Sequence, residues 1–408
     1  MQIESIELRI TKEIMRKLIV IAILMLALVA TLSPARAQTF TVLHQFDGQL
    51  DDGAFSEGSV IRDAAGNLYG TTTNPGTVFK IDSKGKESIL AFLNGGSLGV
   101  FPTGSLTQDS AGNLYGVAEG GSGGAGVVYK LSPKGDEIVL FAFQGGLDNT
   151  DPKLPAGGVL LGKNGNIFGA AQFGNKLSCE IGCGSVFRLD ATGTIHSLHK
   201  FTGGTDGGNP IGPLVQDASG NLYGVAQSGG DRSCPDAFLD QRSGCGVVFK
   251  IDRRHVLTVL HTFTGRKDGA VPQGGLLLDA AGNLFGTTLK GGGSDIGTVY
   301  KIANDGAYTV LHRFTQAEGQ NPNGGLVSDP AGNLYGTAQL GGDQFLGTVF
   351  EMNPNGSLKV LHSFQGLEDG AVPLAGLFRD QDGHLYGTTV KNFLIQLVQG
   401  GCVFEITP

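Results

Sequence analysis

Residues 274–314 read GGLLLDAAGNLFGTTLKGGGSDIGTVYKIANDGAYTVLHRF. Four short apolar runs stand out: Gly275-Leu-Leu-Leu-Asp279, Gly282-Asn-Leu-Phe-Gly286, Gly297-Thr-Val-Tyr-Lys-Ile302 and Val310-Leu-His-Arg-Phe314. Each is rich in Val, Leu, Ile, Thr or aromatic residues and bounded by Gly, Asp or Asn, which is the pattern of a strand between turns. The spacers are hairpin length.

The unit recurs along the chain. GNLYG or a close variant begins at Gly66, Gly112, Gly165, Gly220, Gly282, Gly332 and Gly383. A period of this size signals a propeller or a solenoid, and the two ends choose between them. The first strand-like run, Val42-Leu-His-Gln-Phe46, is of the fourth type, whereas the last, Cys402-Val-Phe-Glu-Ile406, is of the third. The strand missing from the seventh unit is the one with which the series opens, which closes a ring and removes its open edges. The expected fold is all-β: a seven-bladed β-propeller with four antiparallel strands per blade, the N-terminal strand closing the last blade. The longer xDGxxP links, as at Asp268-Gly-Ala-Val-Pro272, cross between blades. GLxxD is then innermost, followed by GNLYG, GTVFKI and, outermost, VLHSF. Gly104, Gly157, Gly212, Gly274, Gly324 and Ala375 at the start of the inner strand suit crowding near the axis.

Composition agrees. Glycine makes up 68 of 408 residues, about 17% against an average of about 7%, and such a content disfavours helices. A hydrophobic fraction of 40% is too high for a disordered chain. Residues 18–32, LIVIAILMLALVATL, follow Arg16 and Lys17 and precede Ala35-Arg36-Ala37, the layout of a cleaved signal peptide. The expected domains are a leader over 1–37, with Met15 as an alternative start, and one propeller over 38–408. The product is expected to be exported, to the periplasm or beyond, with no membrane attachment once cleaved. Removing the leader leaves 24 Lys and Arg against 34 Asp and Glu, a balance that argues against nucleic-acid partners. A monomer is expected.

Repeats within one chain separate frame from site. The aromatic slots, Tyr69 to Tyr386 in GNLYG, Phe79 to Phe404 in GTVFKI and Phe46 to Phe364 (Phe92 among them) in VLHSF, recur in every unit and read as blade packing. His44, His199, His261, His312 and His362 share one slot, which Leu90 and Phe141 fill in two units, so five imidazoles on five blades read as structural rather than metal-binding. Asp63, Asp109, Asp217, Asp279, Asp329 and Asp380 close the inner strand and read as turn acids, with Gly162 in their place once. The Asp-Gly pairs at 52, 206, 268 and 369 lack calcium-loop spacing; no cofactor is expected, and structural calcium is not indicated. Cys179 with Cys183, and Cys234 with Cys245, lie in the loops between second and third strands, and export predicts a disulfide for each pair. Cys402 is left over. Inner-strand departures at Gln108, Lys163, Gln216 and Arg379 are the only candidates for a catalytic set, and no established catalytic motif is present.

In register, GNLYGTTxxGG…GTVFKI…VLHSF…DG…P…GL resembles the bacterial tandem repeat named for Gloeobacter and Verrucomicrobia, over about residues 39 to 406. The frame also resembles NHL-type propeller repeats. The resemblance implies a propeller and export but no activity. Regular repetition without a distinguished catalytic set points to a binding scaffold for a glycan, an envelope component or a protein. The alternative is an extracellular hydrolase or lyase acting on a sugar or ester at the channel mouth.

Overall fold

The structure, a computed structural model, describes residues 38–48, 52–144, 152–174, 182–234, 244–366, 368–390 and 400–408. The expected leader and Cys179 lie outside the described residues. Phe40–Thr407 form one compact unit whose strands fall into seven antiparallel sheets. In blade five the order from the axis outward is Leu277–Leu278, Leu284–Thr288, Thr298–Ile302 and Tyr308–Arg313. The other blades repeat it. Blade seven consists of Phe378–Arg379, Leu385–Thr388, Cys402–Thr407 and, outermost, the N-terminal strand Thr39–Gln45. The Phe46 amide donates to the Gly401 carbonyl at 3.0 Å, and the Phe40 ring packs against Phe404 at 5.3 Å between centroids. Ring closure by the first strand is therefore real.

The last glycine of GNLYG has a specific task. It sits mid-strand, directly across from the third-strand aromatic, as in Gly286↔Tyr300 and Gly70↔Phe79. A Cβ on Gly286 would fall 2.4 Å from the Tyr300 hydroxyl, and one on Gly70 2.4 Å from Phe79 Cζ. The glycine is the seat of the ring, and all seven third-strand aromatics, Phe79, Tyr129, Phe187, Phe249, Tyr300, Phe350 and Phe404, are fully buried. At the axis the constraint is backbone against backbone: a Cβ on Gly157 would meet the Gly212 carbonyl carbon at 2.2 Å.

The outer strand of blade one corrects the sequence reading by one residue. Val78 pairs with Ala91 and Gly76 with Leu93, so Ala91 stands in the histidine slot and the buried Leu93 in the phenylalanine slot. Phe92 instead faces solvent, 45% exposed. A strand offset by one residue exchanges its two faces.

The turn acids do more than cap turns. Asp63 Oδ1 accepts the backbone amides of Ala65 and Asn67, while Oδ2 accepts the Asn67 side chain and the Tyr69 hydroxyl. Asp109, Asp217 and Asp329 take the same Asn and Tyr side-chain bonds. The GNLYG tyrosine is thus a hydrogen-bond donor as well as packing.

The histidine slot and the crossing-loop acids, separate features in the sequence, meet in space. His44, His199, His261 and His362 bond Asp52, Asp206, Asp268 and Asp369 at 2.6–3.3 Å, and His312 bonds Glu318 at 3.1 Å. The same carboxylates accept backbone amides of the crossing loop, such as Thr264 N–H on Asp268. Each histidine therefore ties its outer strand to the link that enters the next blade. Blade one has Ala91 in the slot, and its link, Asn94-Gly-Gly-Ser-Leu-Gly99, carries no acid.

Candidate functional site

In every blade the hairpin turns between first and second and between third and fourth strands lie at one end of the sheet. The second-to-third loops and the blade crossings lie at the other. At this second end the chain adopts the same strained turn seven times. Phe55, Phe101, Leu154, Asn209, Val271, Asn321 and Val372 all have positive φ, from +46° to +59°, although none is glycine. Left-handed backbone costs a non-glycine residue about 1–2 kcal/mol, and more is expected of β-branched Val271 and Val372. The preceding blade supplies the compensation: the amides of Asn209, Val271, Asn321 and Val372 donate to the carbonyls of Cys183, Cys245, Ile296 and Leu346 at 2.7–2.9 Å. Six of the seven strained residues precede proline, which fixes the next step of the chain.

The residue two positions on from each strained turn lies at the axis. Glu57, Thr103, Ala156, Ile211, Gln273, Asn323 and Leu374, one from each blade, line a single axial cavity of about 270 Å³. Gln172, at the end of a second strand, joins them. Gln227, buried at the equivalent place in blade four, accepts a hydrogen bond from Gln273 Nε2 at 3.1 Å. Next to the cavity lies a recess of about 510 Å³ that shares Glu57 and Thr103 and adds Glu119, Asn74, Phe55 and the half-exposed Phe101. Glu57 reaches solvent within this mouth, yet burial by the surrounding walls pushes its carboxyl above the ordinary range, and the neighbouring Glu119 adds to the shift. Burial raises Glu119 as well. Among the described residues the cavity wall contains no histidine, lysine, arginine or cysteine, and no group of three metal-ligating side chains occurs.

The sequence candidates do not converge here. Gln108 and Gln216 bond the turn carbonyls of Gly112 and Gly220, and Arg379 that of Asp380, all at the hairpin end. Lys163 sits on an exposed turn at that same end. The axial ring was missed because its residue type changes from blade to blade, so it looks like loop variation. The signal was nonetheless present: inside a nearly constant frame, the position after Pro reads Glu (after Ser56), Thr, Ala, Ile, Gln, Asn, Leu.

The Cys234–Cys245 disulfide is present, with Cα atoms 5.7 Å apart. It staples the loop whose Cys245 carbonyl holds Val271, two residues before Gln273. Cys183 is buried at the equivalent place, and Cys402 is a buried free thiol. Burial raises the Cys402 thiol to about 12, which keeps it unreactive.

The comparisons fit this architecture. Among curated proteins, none matches the sequence. A streptogramin B lyase structure superposes with a TM-score of 0.61 at 13% identity, covering 91% of this chain and 97% of that one. A catalytically inactive variant of virginiamycin B lyase from Staphylococcus aureus, with quinupristin, gives 0.62 at 14% identity, covering 91% and 100%. The extracellular domain of a one-component system from B. thetaiotaomicron gives 0.56 at 12%, covering 91% of this chain and 42% of that one. At these identities the likeness is one of fold. The model of the Gloeobacter/Verrucomicrobia repeat matches residues 28–178, 118–238 and 239–408, and the chain belongs to that repeat family.

Proposed function

We propose that the protein is an exported, non-catalytic binding propeller whose axial mouth takes a neutral, hydroxyl-rich ligand, a glycan or the glycan part of an envelope component. The observation that carries this reading is the chemistry of the mouth. Gln172, Gln273 and Asn323 present amides, each able to donate and accept at once, which matches the paired donor and acceptor character of sugar hydroxyls. Glu57 and Glu119 add carboxylate oxygens that accept from sugar hydroxyls, and Phe101 offers an aromatic face to the apolar side of a ring. Export is supported by the leader-like segment and by the disulfide, which persists in oxidising compartments. No helix among the described residues is long and apolar enough to cross a membrane.

A second reading rests on the same Glu57. A carboxyl raised by burial beside another carboxyl is suited to proton transfer, which fits a lyase or hydrolase acting on a sugar or ester at the mouth. Both structural neighbours named as lyases share the fold. One experiment separates the readings: the full chain is incubated with neutral oligosaccharides and with sugar esters, recording thermal stabilisation and product formation together. Binding predicts stabilisation with the ligand recovered intact. Release of product that Glu57→Gln abolishes would replace the binding reading with the enzymatic one.

A further inference from the structure

Blade three breaks the pattern of the hairpin end. In blades one, two and four the turn aspartate, the GNLYG tyrosine and a third-strand lysine form a set. Lys80, Lys130 and Lys250 lie over the rings of Tyr69, Tyr115 and Tyr223 at 5.5–5.8 Å, and those tyrosines bond Asp63, Asp109 and Asp217. In blade three the aspartate is Gly162, the tyrosine is Phe168 and the cation is Arg188, paired opposite Phe168. The substitutions are coupled: a Cβ on Gly162 would lie 2.5 Å from Phe168 Cε2, so the ring occupies the space of the missing carboxylate.

Arg188 is left without an acid. Among the described residues it has no hydrogen bond or ion pair, and its Nε is buried with no acceptor. Leaving a buried donor unmet costs about 1–3 kcal/mol, a cost that an acceptor arriving from outside would remove. Arg188 lines a recess of about 500 Å³ between the hairpin ends of blades three and four. Lys163, whose ammonium has no partner among the described residues, and Arg253 line the same recess, with His255 beside them. Arg253 spends Nε on the Ser219 carbonyl and keeps its terminal nitrogens. Two acids also line the wall, but their oxygens are occupied. Asp217 accepts from Asn221 and Tyr223, and Asp252 from the Arg254 and Val256 amides and the Arg254 guanidinium. Three cations against two acids leave the recess with a net charge of +1 in a chain whose net charge is −8.

We infer that this recess is an oxyanion-binding site, for the carboxylate, sulfate or phosphate group of an acidic ligand. Arg188 supplies the forked donor, which matches the planar pair of oxygens on such groups, and Lys163 and Arg253 flank it. The site lies at the end of the blades opposite the axial mouth and does not depend on the function proposed above.

The test is calorimetric titration of the full chain with inorganic sulfate, inorganic phosphate and galacturonate, each at one ionic strength held with chloride. Saturable binding of at least one of them is expected, and the strongest arm identifies the group the site is built for. Arg188→Gln, which keeps size and loses charge, weakens that binding at least about tenfold. Lys163→Ala, at an exposed turn where folding is not at stake, weakens it roughly threefold. Lys359→Ala, on the exposed outer strand of blade six, leaves it unchanged. No saturable binding beyond chloride, or wild-type affinity in both the Arg188 and Lys163 variants, overturns the inference.

Discussion

The rim and the axis of this propeller are the same seven repeats read at two radii, and they follow opposite rules. At the rim, histidine and a carboxylate meet in five blades, and every third-strand aromatic has a glycine seat. At the axis, the seven ring positions hold seven different residues. Constancy between repeats marks the parts that hold blades together, because each blade must solve the same packing problem. Variation within an otherwise fixed frame marks the surface that packing leaves free. That surface is the one a ligand can select.

The contrast is broken most severely at a ring seat. Gly286→Val places a branched side chain where the Tyr300 hydroxyl lies, and overpacking of this kind costs about 3 kcal/mol or more; loss of soluble protein or a large fall in melting temperature is expected. Next comes the staple between rim and axis. Cys234→Ser with Cys245→Ser removes the loop closure that positions the Val271 turn, at a cost of about 2 kcal/mol in thermal denaturation. It should also weaken any ligand bound through Gln273.

A single clasp matters less. His261→Ala leaves Asp268 with its backbone donors, and about 1 kcal/mol is the expected loss. A double-mutant cycle with Asp268→Asn should show coupling between the two. The clasps also set an acid limit. Although burial works against it, bonds from His261, Thr264 and the Thr264 amide hold the Asp268 carboxyl below the usual range. Glu318 and Asp369 are lowered in the same way. A depressed carboxyl stabilises the fold above its unfolded pKa of about 4 and loses that contribution as pH falls through the folded value. Melting temperature should therefore drop as pH falls below about 4, and less steeply in Asp369→Asn. The smallest effect on stability belongs to the axis, where Asn323→Ala or Gln172→Ala should change it by under about 0.5 kcal/mol.

Most of the frame was legible in the sequence. The run from Gly275 to Phe314 announces four strands, and Val42-Leu-His-Gln-Phe46 announces the closure, because strand patterns and turn residues are local. The clasp was harder to see, since His261 and Asp268 are joined across a turn rather than by periodicity. The offset at Ala91-Phe92-Leu93 was misread because two adjacent large apolar residues leave the face of a strand undecided. The axial ring could not be read without knowing which end of the inner strand carries the mouth. Gln108 and Arg379 lie on the correct strand at its other end.

The most direct test of the account is titration of the full chain with the neutral oligosaccharide that stabilises it best, against the Gln172→Ala, Asn323→Ala double variant. The prediction is one saturable site, weakened at least about tenfold in the double variant while the melting temperature stays at the wild-type value. Equal affinity in the two proteins would contradict an axial ligand site, as would the absence of any stabilising neutral oligosaccharide.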